Sequence, residues 1–278
     1  MNNITPNNIC FIITTYNPQK DFEDNIKPLL KYNKQIYIFD NNSNKKNVLK
    51  NLKNIEVFFC NKNQGYASGV NYFIKKKIND HEWFCMLDQD SILDLKYLEY
   101  INKFVDFTKS NIGLIGTNVK YKNMNKKLIN FKTSKKIIRQ KTLICSGTLI
   151  NRSIIKKFGY LKDDFFMEYI DVEYCLRIEK QKYSNYITNT AFLNQSFGNN
   201  EKYYFLGKQI SIDNHEPIRY FYRSRNFKYC IKKYFTYETK EILTHMLNFL
   251  KMYIKIVFFE NYKLKKTYFI VKGFLTKL

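Results

Sequence analysis

The stretch Trp83-Phe84-Cys85-Met86-Leu87-Asp88-Gln89-Asp90-Ser91 decides the fold, because an apolar run ends abruptly in two carboxylates. Comparable apolar runs lie at residues 9–15, 35–39, 55–60 and 112–119, and helical patterns separate them at 22–32, 45–52, 66–78 and 97–108. Strands that alternate with helices predict an α/β fold with a mostly parallel central sheet and helices on both faces. A later strand is predicted at 142–151, and helices at 152–158, at 171–181 and from 217 onward.

Polar side chains follow four of the predicted strands. In open α/β sheets, ligands bind beyond the carboxyl ends of the strands. These four strand ends are therefore expected to form one binding edge. The segments are Thr14-Thr15-Tyr16-Asn17, Asp40-Asn41-Asn42-Ser43, Asn63-Gln64-Gly65-Tyr66-Ala67-Ser68-Gly69-Val70-Asn71 and Asp88-Gln89-Asp90-Ser91.

Each of these segments has a chemical and a purely structural interpretation. Asp88 and Asp90 can share a hard divalent cation such as Mg²⁺ or Mn²⁺, but a solvated turn with a helix cap also explains a bare Asp-x-Asp. Asp40 can accept hydrogen bonds from a base or a ribose hydroxyl, and a turn explains it as well. Gly65 and Gly69 permit a ligand to approach a helix N-terminus, and a tight strand–helix turn accounts for them equally.

The segment 165–177 carries several ionisable residues at helical spacing. In one continuous helix, Glu168, Asp171 and Cys175 would share a face. Asp171 or Glu168 is then a candidate general base, and the alternative is compensation of the helix dipole. Glu173 and Arg177 stand four residues apart and are interpreted as an ordinary helix ion pair.

The composition limits the possible classes of protein. The 278 residues include 47 Lys and Arg against 24 Asp and Glu, a net charge of +23, and 45% hydrophobic residues, which exclude a disordered chain. Six scattered cysteines without a Cys-x-x-Cys pair indicate reduced, buried thiols. The positive charge requires an anionic partner. A non-enzymatic nucleic-acid-binding module would explain the charge but not the acidic strand ends, so no nucleic acid partner is predicted.

Taken in order, the motifs resemble those of the inverting family-2 glycosyltransferases, which have the Rossmann-like GT-A fold. Ser146-Gly147-Thr148 and Asp171-Val172-Glu173-Tyr174-Cys175-Leu176-Arg177 complete the series, and the resemblance runs from about residue 9 to 226. The form Asp88-Gln89-Asp90-Ser91 is most similar to bacterial rhamnosyltransferases of surface-polysaccharide synthesis. A later segment is also most similar to these enzymes, namely His215-Glu216-Pro217-Ile218-Arg219-Tyr220-Phe221-Tyr222 with Arg225-Asn226. A nucleotidyltransferase is disfavoured, because residues 14–17 offer no Gly-rich phosphate loop.

The resemblance implies that a sugar passes from a nucleotide-diphospho donor to a hydroxyl of a glycan or lipid-linked acceptor. Rhamnose from dTDP-rhamnose is the leading expectation, with galactofuranosyl or another UDP-hexose transfer as the alternative. Asp171 is implied as the base, and Asp88 and Asp90 as holders of Mg²⁺ or Mn²⁺. Acceptor contacts are implied for Ser146, Gly147 and Glu168. Donor contacts are implied for Thr14, Tyr16, Asn17, Asp40, Asn42, Asn63, Gly65, Asn71, Asp88 and Arg219.

This sequence departs from the family pattern at two positions. Relatives often carry aspartate where Glu168 stands. They often carry a histidine where Gln195 stands, and the loss of that histidine bears on metal affinity if it is a ligand.

Residues 216–278 are expected to form a basic, amphipathic helical region after a catalytic domain at 1–215. Residues 249–278 contain seven lysines and one glutamate. No run approaches the ~18 apolar residues of a membrane span, and no secretory signal is recognised. The region is predicted to lie on an anionic membrane surface, or to pack on the catalytic domain or a second copy in a homodimer. The expected location is cytoplasmic, peripheral at the inner face of the cell membrane.

Overall fold

The computed structural model describes residues 1–32, 35–44, 46–50, 52, 55–121, 126–127, 129–196, 201–205, 208–212 and 214–278. The chain divides into two compact units. Unit 1 comprises Met1–Phe166 and Ile170–Ser196, and unit 2 comprises Met167–Tyr169 and Phe197–Leu278. The functional boundary predicted between 215 and 216 stays a prediction.

Unit 1 consists of alternating strands and helices, as predicted. The strands are β1 (Ile9–Thr15), β2 (Ile36–Asp40), β3 (Glu56–Phe59), β4 (Trp83–Asp88), β5 (Ile92–Leu93), β6 (Ile112–Tyr121), β7 (Lys126–Lys127), β8 (Ile137–Arg139), β9 (Thr148–Asn151) and β10 (Ser184–Gln195). The helices are α1 (Phe22–Tyr32), α2 (Asn47–Lys50), α3 (Tyr66–Lys77), α4 (Lys96–Phe104), α5 (Arg152–Phe158) and α6 (Ile170–Glu179), with a 3₁₀ turn at Asp163–Phe165.

Within the described part of the chain, these ten strands form one sheet in the order β3-β2-β1-β4-β9-β6-β10-β5, with β7 beside β6 and β8 beside β10. The strands β1, β2, β3, β4, β6 and β10 run in one direction, while β9 is antiparallel to both β4 and β6. The predicted α/β class with a mostly parallel sheet is confirmed.

The apolar runs form the centre of the sheet because both of its faces are covered. All seven residues of β1 and all five of β2 are buried, which is the pattern of strands covered on both sides. Helix α3 packs very close to them: a Cβ on Gly69 would lie 2.9 Å from a ring carbon of Phe39 and 3.0 Å from Thr14. The glycine therefore lets α3 begin directly over the ends of β1 and β2.

Two local predictions need correction. The strand predicted at 142–151 begins only at Thr148, because Gly147 has a φ of +77° and breaks the extended run. The helix predicted at 171–181 is confirmed as α6, but it does not extend back to residue 165, because Phe166, Glu168 and Tyr169 all have positive φ values. Glu168 is therefore not on one helical face with Asp171 and Cys175. Part of the helix predicted at 45–52 forms α2, and residues 45 and 51 lie outside the described residues.

Unit 2 contains the antiparallel pair β11 (Glu201–Phe205) and β12 (Lys208–Ile212), followed by α7 (Pro217–Tyr234), α8 (Thr239–Phe259) and α9 (Lys263–Leu275). Helices α7 and α9 approach closely, since a Cβ on Gly273 would lie 2.4 Å from the carbonyl oxygen of Phe221. Between the helices, Glu260 accepts hydrogen bonds from Tyr220 at 2.7 Å and Lys266 at 2.8 Å. The predicted helical C-terminal pattern is thus resolved into three helices.

Helix α8 corrects the statement that no segment approaches a membrane span. Its 21 residues reach a mean hydropathy of 1.4 over an 18-residue window, of which 11% is buried. By length and composition alone it could cross a membrane. The two lysines in its C-terminal half, Lys251 and Lys255, interrupt the apolar run without lowering its mean hydropathy enough to exclude a span.

Candidate active site

The carboxyl ends of β2, β1 and β4 meet at one edge of the sheet. Asp40 pairs in register with Thr15, and Asp88 pairs with Thr14. Because neighbouring strands lie about 4.8 Å apart, Asp40 and Asp88 flank β1 at a separation of about 10 Å. These strand ends thus share the edge at which such folds bind ligands.

Asp40 closes the turn that follows β2. Its carboxylate is fully buried and accepts hydrogen bonds from the Thr15 hydroxyl at 3.2 Å, the Ser43 amide at 3.0 Å and the Ser43 hydroxyl. Asn42 lies exposed at the tip of this turn with a φ of +62°. The structural interpretation of the turn is confirmed, and the donor contacts of Asp40 and Asn42 stay predictions.

Gln89 fastens the end of β4 to the end of β1. Its side-chain oxygen accepts from the Tyr16 amide at 2.8 Å, and its side-chain nitrogen donates to the Tyr16 carbonyl at 3.2 Å. The neighbouring Asn17 amide donates to the Ser43 hydroxyl at 2.7 Å, and the Asn17 side chain accepts from the Asn44 amide at 2.9 Å. Three strand ends are therefore cross-linked, with the Tyr16 side chain half-exposed above them.

The N-terminus of α3 touches the segment that precedes α6. Asn63 accepts a hydrogen bond from the Gly65 amide at 3.0 Å, and the Tyr66 amide donates to the Phe166 carbonyl at 2.9 Å. Gly65 has a φ of +83°, and a Cβ at this position would lie 2.3 Å from that carbonyl oxygen. Only glycine fits this contact.

Asn71 holds the loop between α5 and α6. Its side chain is 1% exposed, donates to the Leu161 carbonyl at 2.8 Å and to Asp163, and accepts from the Leu161 amide at 3.1 Å. The structure gives Asn71 a positioning role, and direct contact with a donor stays a prediction.

Ser146 and Gly147 shape the end of β4 from the neighbouring loop. The Ser146 hydroxyl accepts from the Asp88 amide at 3.1 Å and shares a hydrogen bond with the Ser91 hydroxyl at 2.8 Å. Gly147 has positive φ, donates to the Met86 carbonyl at 2.8 Å, and has no room for a Cβ. Both residues are buried, and their acceptor role stays a prediction.

Asp88 and Asp90 lie together with Gln195, at the end of β10. The Gln195 side-chain nitrogen donates to Asp88 Oδ2 at 2.8 Å and to Asp90 Oδ1 at 3.3 Å. Over the described ranges, no group of three or more His, Cys, Asp or Glu side chains is arranged as a metal site. Two carboxylates with a carboxamide still form an all-oxygen donor set of the kind that Mg²⁺ and Mn²⁺ prefer.

Asp171, the second residue of α6, borders a small cavity that it shares with Met86, Cys145 and Thr148. The Tyr66 hydroxyl is buried and forms no hydrogen bond with any residue that the structure describes. Burial raises the pKa of the Tyr66 phenol well above its usual value, and interactions with Cys145, Asp88 and Asp171 raise it further. The charges of Asp88 and Asp171 thus both act on the buried Tyr66 hydroxyl.

Glu168 and Arg219, both predicted as site residues, pair with each other within unit 2. The Glu168 carboxylate accepts hydrogen bonds from Arg219 Nε and, at 2.6 Å, from Arg223 Nε. Asn226 donates to the carbonyls of Met167 and Glu168, each at 2.8 Å, and so fixes the positive-φ segment. The acceptor contact of Glu168 and the donor contact of Arg219 stay predictions.

The ion pairs of Glu168 with Arg219 and Arg223 make the stability of the protein depend on pH. Burial raises the pKa of Glu168, but the charges of Arg223 and Arg219 outweigh it and lower the pKa from 4.5 to about 2. A lowered carboxyl pKa stabilises the fold above the unfolded-state pKa of 4.5, and this stabilisation is lost as pH falls toward 2. The full effect is about 3 kcal/mol. We expect Glu168→Gln to lower the unfolding free energy at pH 7 and to converge with the parent chain as pH falls through about 2, measured by urea denaturation. A difference that stays constant with pH would contradict this assignment.

Glu173 and Arg177 form a structural pair on α6. Glu173 is fully buried, and Arg177 also donates to the carbonyls of Phe158 at 3.1 Å and Tyr160 at 2.8 Å. The predicted helix ion pair is confirmed, and it anchors the loop after α5.

Comparison with known proteins identifies the family. Residues 10–165, more than half of the chain, match the model of glycosyl transferase family 2. The chain belongs to this family. A curated dTDP-rhamnosyl transferase, RfbF of Shigella flexneri, is 25% identical to this glycosyltransferase over 243 residues, covering 81% of this chain and 80% of that relative.

Solved structures agree on the fold of this glycosyltransferase. GalNAc-T7, crystallised with UDP, GalNAc and Mn²⁺, superposes with a TM-score of 0.61 at 12% identity over 84% of this chain. The chain spans about half the length of that protein, 49%. Residues 1–349 of TarS from S. aureus superpose with a TM-score of 0.54 at 13% identity, over 96% of this chain and 70% of that one. The GT-A fold predicted from the motifs is confirmed.

Proposed function

We propose that this glycosyltransferase moves a sugar from a nucleotide-diphospho donor to a hydroxyl of a glycan or lipid-linked acceptor, with inversion. The observation that supports the proposal is that Asp88 ends β4, while Asp171 lines a small cavity together with Met86 of the same strand. A carboxylate for the diphosphate side thus ends β4, and a carboxylate for the acceptor side borders a cavity that Met86 of the same strand helps to line. The likeness to a dTDP-rhamnosyl transferase makes dTDP-rhamnose the leading donor.

In this mechanism, Asp171 takes the proton of the acceptor hydroxyl while its oxygen attacks the anomeric carbon. The bond from that carbon to the diphosphate oxygen breaks on the opposite side, which inverts the configuration. Asp88 and Asp90 would hold Mg²⁺ or Mn²⁺, which supplies positive charge to the leaving diphosphate when bound. Ser146 holds the turn that carries both carboxylates through the Asp88 amide.

A donor panel tests this function. Thermal shifts are measured with dTDP-rhamnose, UDP-galactofuranose, UDP-galactose, UDP-glucose and GDP-sugars, each with Mg²⁺ or Mn²⁺, and hydrolysis or transfer is followed by release of the nucleotide diphosphate. We expect stabilisation and turnover with dTDP-rhamnose. Turnover with a UDP-hexose alone would assign the alternative donor, which the UDP-bound GalNAc-T7 neighbour favours. Absence of any nucleotide-sugar response would reject the function.

We further propose that the membrane partner binds the outer faces of α8 and α9. Exposed apolar residues repeat on α8 at helical spacing, namely Leu243, Leu247, Leu250, Ile254 and Phe258, and on α9, namely Leu264, Tyr268, Val271 and Leu275. Exposed lysines at 251, 263, 265 and 272 accompany them. Such faces bind anionic lipid surfaces through apolar insertion and charge, and a lipid-linked acceptor would be found there.

Vesicle flotation tests this face. We expect the parent chain to float with vesicles of phosphatidylcholine and phosphatidylglycerol, and Leu247→Asp/Ile254→Asp to lose at least tenfold in affinity, because each lost apolar contact is worth about 1.5–3 kcal/mol. Thr244→Asp/Asn248→Asp is the matched control, since both residues are exposed on α8 and the added charge is identical. Equal losses in the two variants, or dimers by light scattering without flotation, would contradict membrane docking.

A further inference from the structure

The Gln195 side chain links the two site carboxylates, Asp88 and Asp90. Its amide nitrogen lies 2.8 Å from Asp88 and 3.3 Å from Asp90, so one NH₂ group is shared by two acceptors. Carboxylates are acceptors only, and without a cation their mutual repulsion is relieved by such a donor.

The backbone of Gln195 is fixed independently of its side chain. In β10 the two preceding residues pair with β5, Leu193 with Leu93 and Asn194 with Ile92, and Gln195 itself pairs with Tyr121 of β6. Strand β5 begins directly after the turn that carries Asp88 and Asp90. The sheet therefore positions the Gln195 backbone, and the side-chain torsions of Gln195 place its amide at the carboxylates.

A carboxamide has two chemically opposite ends. A half-turn of its terminal torsion exchanges the NH₂ donor for the carbonyl oxygen at nearly the same position. A divalent cation between the carboxylates repels the NH₂ group and attracts that oxygen. The same side chain can thus donate to the carboxylates, as it does in this structure, or accept a bond to a metal ion that they hold.

We propose that Gln195 is a metal ligand of this glycosyltransferase, turning its amide oxygen toward a divalent cation held by Asp88 and Asp90. The inference rests on the metal role in the proposed function. Three oxygen ligands of this kind favour Mg²⁺ and Mn²⁺, whereas an imidazole would favour Zn²⁺ and Ni²⁺. Gln195 therefore sets which metals the site accepts.

Metal titration without any nucleotide sugar tests the proposal. Binding of Mn²⁺ alone is measured by electron paramagnetic resonance, and binding of Zn²⁺ alone by calorimetry. We expect Gln195→Leu to weaken Mn²⁺ binding about tenfold, the scale on which metal-site changes act. We expect Gln195→His to strengthen Zn²⁺ relative to Mn²⁺ by at least the same factor. Gln181→Leu, an exposed glutamine after α6, is the matched control and should bind both metals as the parent chain does.

Two results of the metal titration would overturn the proposal. If the amide only competes with the cation, Gln195→Leu will bind Mn²⁺ as tightly as the parent chain or more tightly, and the proposal is overturned. Asp90→Ala must lose Mn²⁺ binding, since retained binding would place the metal elsewhere. Circular dichroism of each variant establishes that the fold is retained. Because the readout is metal binding, failure of sugar transfer would leave this result unchanged.

Discussion

Replacement of Asp171 by asparagine is expected to lower kcat about 10³-fold, because a positioned general base typically contributes ~10²–10⁴ in rate. The substitution preserves shape and local structure. Asp171 accepts a hydrogen bond from the Val172 amide at 2.8 Å, and the asparagine oxygen can accept the same bond. Donor binding should therefore remain within about twofold of the parent value, since the change removes a proton acceptor and leaves the strand-end pocket intact.

Steady-state kinetics with a separate donor titration distinguish these effects. Asp24→Asn is the matched control, because Asp24 is an exposed aspartate of α1 paired with Lys27, and its loss should leave kcat unchanged. If Asp171→Asn retained more than a tenth of the parent kcat, the proton would have to leave by another group.

Alanine at Gly65 is expected to destabilise the protein by about 2–6 kcal/mol, with loss of activity at moderate temperature. Two effects add. Gly65 has a φ of +83°, which alanine adopts only at a cost of about 1–3 kcal/mol. Its new Cβ would also lie 2.3 Å from the Phe166 carbonyl oxygen, and overpacking of this kind costs about 1–3 kcal/mol. The loss should be visible in urea denaturation.

A second variant, Gly159→Ala, separates the conformational cost of positive φ from the steric overlap with Phe166. Gly159 has a φ of +79°, but a Cβ there meets only the Arg177 guanidinium at 3.9 Å. Gly159→Ala should therefore cost the conformational part alone, about 1–3 kcal/mol. Equal destabilisation in both variants would show that the contact between α3 and Phe166 is unimportant for the fold.

The central part of the fold was predictable because its signals are local. Strands β1 and β2 are buried along their whole length, and β4 is buried up to its last residue, Asp88. All three end in polar residues, so periodicity and strand-end chemistry agree. Positive φ values at non-glycine residues could not be predicted, because they have no such local signal. Phe166, Glu168 and Tyr169 look helical by spacing, yet bonds from Asn226, some sixty positions later, hold this segment outside α6.

Part of the candidate site could likewise be predicted from the sequence, and part could not. The positions of Asp40 and Asp88 follow from parallel strands, so their shared edge was predicted correctly. The roles of Gln89 and Gln195 depend on long-range contacts of neutral amides, which carry no periodic or charge signal. The one clue to Gln89 was its place between the two aspartates, and that to Gln195 was its substitution for a histidine.

The two hydrogen bonds between the Gln89 side chain and the Tyr16 backbone couple the end of β4 to the end of β1. Gln89 joins the backbone of Tyr16, directly after β1, to the turn in which Asp88 and Asp90 are its two neighbours. If that turn shifts when an ion or pyrophosphate loads, it must either break two hydrogen bonds or carry the Tyr16 backbone with it. The backbone after β1 and the turn after β4 are thus mechanically linked, and a displacement of one of them is transmitted to the other.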